Sequence, residues 1–160
     1  QAMWDYRAEK GNLVDFPGSK MISMDEFWSA QVDVVVPAAL ENSIDAAVAE
    51  KIQAKLVCEA ANGPTTPEGD EVLNRKGIIL TPDILTNAGG VTVSYFEWVQ
   101  NLYGYYWSEA EVEAKEDEAM VKAFEALWAI KEEYGVTVRE AAYMHSVKRV
   151  ATAMKLRGWY

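Results

Sequence analysis

The chain has 160 residues, half of them hydrophobic and a quarter charged, with a net charge of −10, about one soluble globular domain of sequence. That balance excludes a basic nucleic-acid-binding face, which must displace counterions, and a cationic patch for an anionic membrane. One cysteine, Cys58, rules out an internal disulfide and fits a reducing, cytoplasmic setting; with one histidine beside it, a conventional zinc site lacks ligands.

Residues 1–10 read as the last turns of a helix stopped by Gly11, followed by a short extended "NLV" and the turn "DFPG". Ser23 and Glu26 have capping-box spacing for a brief helix. "VDVVVPAA" (32–39), "KLVCEAAN" (55–62) and "GIILTPD" (77–83) then recur about every 22–24 residues. Their continuous hydrophobicity predicts strands near 32–36, 56–60 and 78–81, covered on both faces as in a parallel sheet. Between them, Ser43 is placed to cap a helix with Ile44, Ala47, Val48 and Ile52 on one stripe. Thr66 and Pro67 start the next helix and Gly77 stops it. Strand–helix–strand–helix–strand is the pattern of right-handed parallel βαβ units. No glycine-rich phosphate loop precedes the first strong strand.

After residue 90 the period is helical. Ser108 with Glu111 and Thr137 with Glu140 mark two further helices of roughly 20 residues each. The first carries Val112, Ala119, Ala123, Phe124, Leu127 and Ile130, the second Val147, Val150, Ala151 and Met154. The acidic cluster from Glu109 to Glu118 suits a solvated face near a helix N-terminus. The predicted class is α/β, a partial Rossmann-like parallel sheet with C-terminal helices packed on it. No apolar run is long enough to span a membrane.

In parallel sheets ligands bind at the carboxyl ends of strands. Three such ends are on offer: Pro37-Ala38-Ala39, Asn62 to Thr66, and Asp83 to Gly90. An asparagine amide donates and accepts, so Asn62 and Asn87 can pair with a ligand carboxamide; equally, each can serve its own turn. Asn87, Val91 and Ser94 follow helical spacing and share one face. Gly89 and Gly90 would let an anion approach free backbone N–H groups, and the Ser94 hydroxyl could meet a carboxylate or bond back to its own helix. Tyr95, Phe96, Trp98, Tyr103, Tyr105, Tyr106 and Trp107 read as packing or interdomain contacts, Cys58 as a buried inert strand residue, and His145 as structural or surface.

"PAALEN", "EAANGPTTPEGDEVL", "TPDILTNAGGVTVSYFEWVQN", "YYW" and "REAAY…VKRVATAMKLRGW" closely resemble the C-terminal, nucleotide-binding part of glutamate dehydrogenases. These belong to the superfamily that includes the leucine, phenylalanine and valine dehydrogenases. The resemblance implies that residues 1–100 form the second half of a dinucleotide-binding domain and 101–160 a helical segment packing back across the cleft. It implies NAD or NADP as cofactor, with Ala38, Ala39, Asn62 and Asn87 beside the nicotinamide. It also implies glutamate or 2-oxoglutarate as substrate, with Val91 lining its pocket and Ser94 bonding its side-chain carboxylate. Relatives acting on apolar amino acids would be left with an unpaired hydroxyl there.

The family's glycine-rich fingerprint, substrate domain, catalytic lysine and catalytic aspartate would precede residue 1, so no catalytic residue is expected in this chain. The expectation is a fragment, inactive alone, of a parent that is usually hexameric. The short connection from Asn101 to Ser108 matches the compact microbial form. A short strand near Leu13 would lie detached, and an open edge at 32–36 would invite the missing N-terminal portion or another chain. A folded module without the chemistry is the alternative.

Overall fold

The structure, a computed structural model, describes residues 1–159. Its frame is a three-stranded parallel sheet of β1 (Val34–Val35), β2 (Leu56–Cys58) and β3 (Ile79–Thr81), in that spatial order. Val35, Val57 and Leu80 align in one row across it; Val34, Leu56 and Ile79 form the next. Successive strand side chains point to opposite faces, so the two rows meet different surroundings. Val57 and Leu80 are buried with Ile44, Ile52, Val72 and Leu73 under the crossover helices α3 (Ala46–Lys51) and α4 (Pro67–Arg75). Each such aliphatic side chain contributes about 1.5–3 kcal/mol.

Val34 and Ile79, on the opposite face, are 45% and 41% exposed. The expected cover on both faces is thus complete on one only. The later helices pack mainly on each other, and of the sheet α8 (Val138–Leu156) reaches β3. The strands are also shorter than predicted, because hydrophobic runs record what could be buried and not which neighbours pair.

The helix after β1 differs from the expectation as well. Ile44 is fully buried and bridges to Thr65, so it is not helical. Asp45, rather than Ser43, is the N-cap, accepting from the Val48 N–H at 2.8 Å. Ile52 lies just beyond the last turn, in extended backbone. The Lys76 ammonium donates to the carbonyls of Ala49, Glu50 and Ile52 at 3.0, 2.6 and 2.6 Å, satisfying orphan acceptors at that helix end.

Helix α4 begins as predicted: Thr66 accepts from the Gly69 N–H and Pro67 occupies the first helical position. It lies so close to the Ile44–Asp45 backbone that a Cβ added at Gly69 would overlap the Ile44 carbonyl oxygen. Only a residue without a side chain permits that approach.

Near the front, α1 (Ala2–Lys10) ends at left-handed Gly11, and Ser23 with Glu26 caps α2 (Met24–Trp28). "NLV" is not a strand. Val14 N–H donates to the Asn12 side chain at 2.9 Å, and the Tyr6 hydroxyl donates to the Val14 carbonyl at 2.9 Å. The segment is a turn closed by Asn12 from within and by Tyr6 of α1 from outside, because asparagine competes for its neighbours' backbone.

Beyond β3 come α5 (Asp83–Thr86), α6 (Ala88–Tyr103) and α7 (Glu109–Tyr134), then α8, the last two opened by the predicted capping boxes. At 26 and 19 residues, they bracket the expected length. Leu85, Leu127 and Ala142 form a second small core with Ala123. Val147 and Val150 of α8 are exposed. The acidic face of α7 is solvated except at Glu116, which is half-buried with its carboxylate directed at Gly89. The aromatics divide: Phe96 packs edge-on against Trp107 at 5.6 Å, whereas Tyr95, Trp98, Tyr103, Tyr105 and Tyr106 are exposed.

Candidate functional site

The strand ends are joined chiefly through main-chain atoms. The Pro37 carbonyl, just past β1, accepts from the Ala60 and Ala61 N–H groups at 3.0 and 2.8 Å. Asn42 N–H donates to the Gly63 carbonyl and Ile44 N–H to the Pro64 carbonyl, both at 2.8 Å. The segment carrying Ala38 and Ala39, both exposed, is therefore stitched along the turn that carries Asn62. Asn42 takes a left-handed φ of 53° to make the corner, a conformation asparagine tolerates better than most residues.

The second and third ends meet side chain to side chain. Asn87 Nδ2 donates to Asn62 Oδ1 at 2.8 Å and, more weakly, to the Ala60 carbonyl at 3.4 Å. A carbonyl can only accept, so the nitrogen of Asn87 must face it, which fixes the orientation of both amides. The Asn62 NH2 and the Asn87 carbonyl oxygen are left with no partner among the described residues. One donor and one acceptor are the two kinds of group that a primary carboxamide can pair with.

Val91 and Ser94 lie on exposed turns of α6 after this pair. Thr92 bonds back to the Ala88 carbonyl at 2.8 Å; among the described residues, Ser94 makes no such bond. Gly90 is open, with nothing within 4 Å of an added Cβ. Gly89 is not: the space beside it is taken by the Glu116 carboxylate of α7, so of the two glycines only Gly90 has open room beside it. Cys58 is half-buried rather than buried, and His145 is half-buried beside a cleft of about 530 Å³ that Ile84, Ala88, Ala126 and Arg149 also line.

Behind the amides lies a charged cluster absent from the sequence reading. Glu59, directly after β2, is fully buried. Its carboxylate accepts from Arg139 Nη2 at 2.7 Å and from the Asp83 N–H at 2.9 Å. Arg139, in the first turn of α8, also donates Nε to Asp70 of α4 at 2.8 Å, and its Nη1 lies 3.8 Å from Asp83 Oδ1. Burial alone would depress the guanidinium's pKa; hydrogen bonds and Coulomb attraction from Glu59 and Asp70 outweigh it and raise the pKa. The available signal was slight: Glu59 directly follows the apolar run of β2 and precedes two alanines, whereas Arg139 stands beside a second charge, Glu140, ahead of Ala141 and Ala142.

A parallel βαβ sheet with polar groups gathered at its carboxyl rim defines a Rossmann-type α/β unit. The family model described as Glutamate/Leucine/Phenylalanine/Valine dehydrogenase matches residues 1–158, and the chain belongs to that family. It is 76% identical over 160 residues, 100% of its length, to an NAD-specific glutamate dehydrogenase of Clostridioides difficile. It is 60% identical over 155 residues, 97% of its length, to the enzyme of the same name from Peptoniphilus asaccharolyticus. It spans 38% and 37% of those two relatives. The fold matches the crystal structure of a hetero-hexameric glutamate dehydrogenase from Thermus thermophilus, leucine-bound form, with a TM-score of 0.89 and 30% identity. That match covers 99% of this chain and 37% of the other. Among the described residues, no helix is long and apolar enough to cross a membrane.

Proposed function

We propose that this chain is the C-terminal, nucleotide-binding part of an NAD-dependent glutamate dehydrogenase, which deaminates L-glutamate oxidatively to 2-oxoglutarate and ammonia. In this reading residues 1–100 complete the dinucleotide-binding domain and the remainder is its helical closing segment. The amide pair carries the reading: Asn62 and Asn87, held 2.8 Å apart, keep one donor and one acceptor for a carboxamide. The names of the relatives favour NAD over NADP.

Ala38 and Ala39 leave room beside the amides for a flat ring, and Asn62 and Asn87 orient its carboxamide. Bound NAD supplies the hydride acceptor. Val91 lines the pocket for the glutamate side chain, and the Ser94 hydroxyl, which has no partner among the described residues, donates to its carboxylate. Proton transfer falls to residues outside this chain, so the isolated chain has no turnover. The outer edge of β1, beside an apolar groove of about 600 Å³ lined by Phe27, Trp28, Val32, Val34 and Val36, receives the rest of the enzyme. The complete protein works in the cytoplasm as an oligomer, a hexamer by analogy with the Thermus enzyme.

Ser94→Ala in the complete enzyme tests the substrate assignment. A hydrogen bond to a charged group is worth about 1.5–3 kcal/mol, so KM for glutamate should rise about 10- to 150-fold. An unchanged KM removes glutamate as the substrate read by Ser94.

A further inference from the structure

Asp83 stands at the join between the charged cluster and the amide pair. Its Oδ2 accepts from the Gly63 N–H at 2.8 Å, and that N–H belongs to the peptide joining Asn62 to Gly63. Its backbone carbonyl accepts from the Asn87 N–H at 3.0 Å. With the Asn87–Asn62 amide bond, these contacts close a ring: Asp83 carboxylate, Gly63 N–H, Asn62 amide, Asn87 amide, Asn87 N–H, Asp83 carbonyl. The ring fixes the Asn62 peptide plane and the start of α6 relative to each other.

The ring is itself anchored. The Asp83 N–H donates to Glu59 Oε2 at 2.9 Å, and Glu59 is fully buried at the end of β2 with Arg139 on its other oxygen at 2.7 Å. Oδ1 of Asp83 accepts from the Ile84 N–H at 2.8 Å, so both carboxylate oxygens are committed and the side chain has one orientation. Such charge-assisted bonds are the stronger kind, and a low-dielectric setting strengthens them further.

We infer that Asp83, braced by Glu59 and Arg139, is a positioning residue for the cofactor. It holds the two asparagine amides in register without touching the ligand, and it couples the first turn of α8 to the nicotinamide end of the site. The inference rests on the cofactor reading above. Its logic is that of a supporting shell, in which groups that orient a ligand contact matter nearly as much as the contact.

The test uses a complete dehydrogenase containing this chain, with three variants compared at constant glutamate. Asp83→Ala should raise KM for NAD about tenfold while kcat moves less than about threefold, the signature of lost binding common to ground and transition states. Asp83→Asn keeps an acceptor for the Gly63 N–H and should restore most of that loss. Asn87→Ala should match or exceed the Asp83→Ala effect. If Asn87→Ala raises KM for NAD and Asp83→Ala only lowers the melting temperature, the positioning role is overturned and the cofactor reading survives. If Asn87→Ala leaves KM for NAD unchanged, both fall together. Should Asp83→Ala fail to fold, the Gly63 amide proton of the unaltered enzyme decides. Its exchange must be slowed despite the exposed turn, and fast exchange overturns the proposal.

Discussion

Gly69→Ala separates two effects that usually travel together. Alanine is the better helix former, worth about 0.8–1 kcal/mol over glycine in a helix interior. At Gly69 the new methyl would overlap the Ile44 carbonyl oxygen and sit 3.2 Å from Thr65 Cγ2 and 3.3 Å from the Asp45 carbonyl carbon. Two of those three atoms are backbone, and the backbone there is tied by the Thr66 N–H to Ile44 bond at 3.0 Å and the Ile44–Thr65 bridge. It cannot yield cheaply. Overpacking of this kind costs about 1–3 kcal/mol, and its upper range applies, so after the helix gain the net loss is about 2 kcal/mol. Gly90→Ala is the matched control, with nothing within 4 Å of its Cβ, and should gain about 0.5–1 kcal/mol. Urea unfolding followed by circular dichroism reads both. With a slope of about 2 kcal/mol per molar, Gly69→Ala should lower the midpoint by about 1 M, and Gly90→Ala should raise it without changing the slope. A Gly69→Ala midpoint equal to or above that of the parent chain would refute the close-approach reasoning.

Arg139→Met should cost about 3–5 kcal/mol, because it leaves the buried Glu59 carboxylate with only the Asp83 N–H. Adding Glu59→Gln to that variant should recover part of the loss, and a further drop in the urea midpoint would contradict the buried-pair account. Glu111 is held below its ordinary carboxylate value of 4.5 by hydrogen bonds from the Ser108 backbone and then the Ser108 hydroxyl. A group depressed in the folded state stabilises above its unfolded pKa, and that contribution is lost as pH falls through the folded pKa. Glu111→Gln should therefore flatten the acid side of the stability profile below pH 4.5, and an unchanged profile would count against the capping box.

The sequence-legible features were mostly short-range. Capping boxes, Thr66-Pro67 and the glycine stops depend on neighbours within a few residues, and they stand where they were read. Ile44 shows where local reading fails. Its spacing fits the stripe of the following helix, but a bridge to Thr65, 21 residues on, removes it from that helix. Covered strand faces failed for the same reason: continuous hydrophobicity does not say which helices arrive. The asparagines could be picked out by type and position, yet their direct contact needs the loop crossing between β2 and α6. Glu59, Asp83 and Arg139 were invisible as a group, because Arg139 is 80 residues from Glu59 in the chain.

The seam joining the first two strand ends is sewn with carbonyls and N–H groups of Pro37, Asn42, Ile44, Ala60, Ala61, Gly63 and Pro64. Such stitches are indifferent to what hangs from the chain beside them. The residues displayed along that border, Ala38 to Glu41 above all, can be exchanged without unpicking it, provided Asn42 still turns its corner. If the rim binds cofactor as proposed, retuning what it accepts begins there, at little cost to the fold beneath.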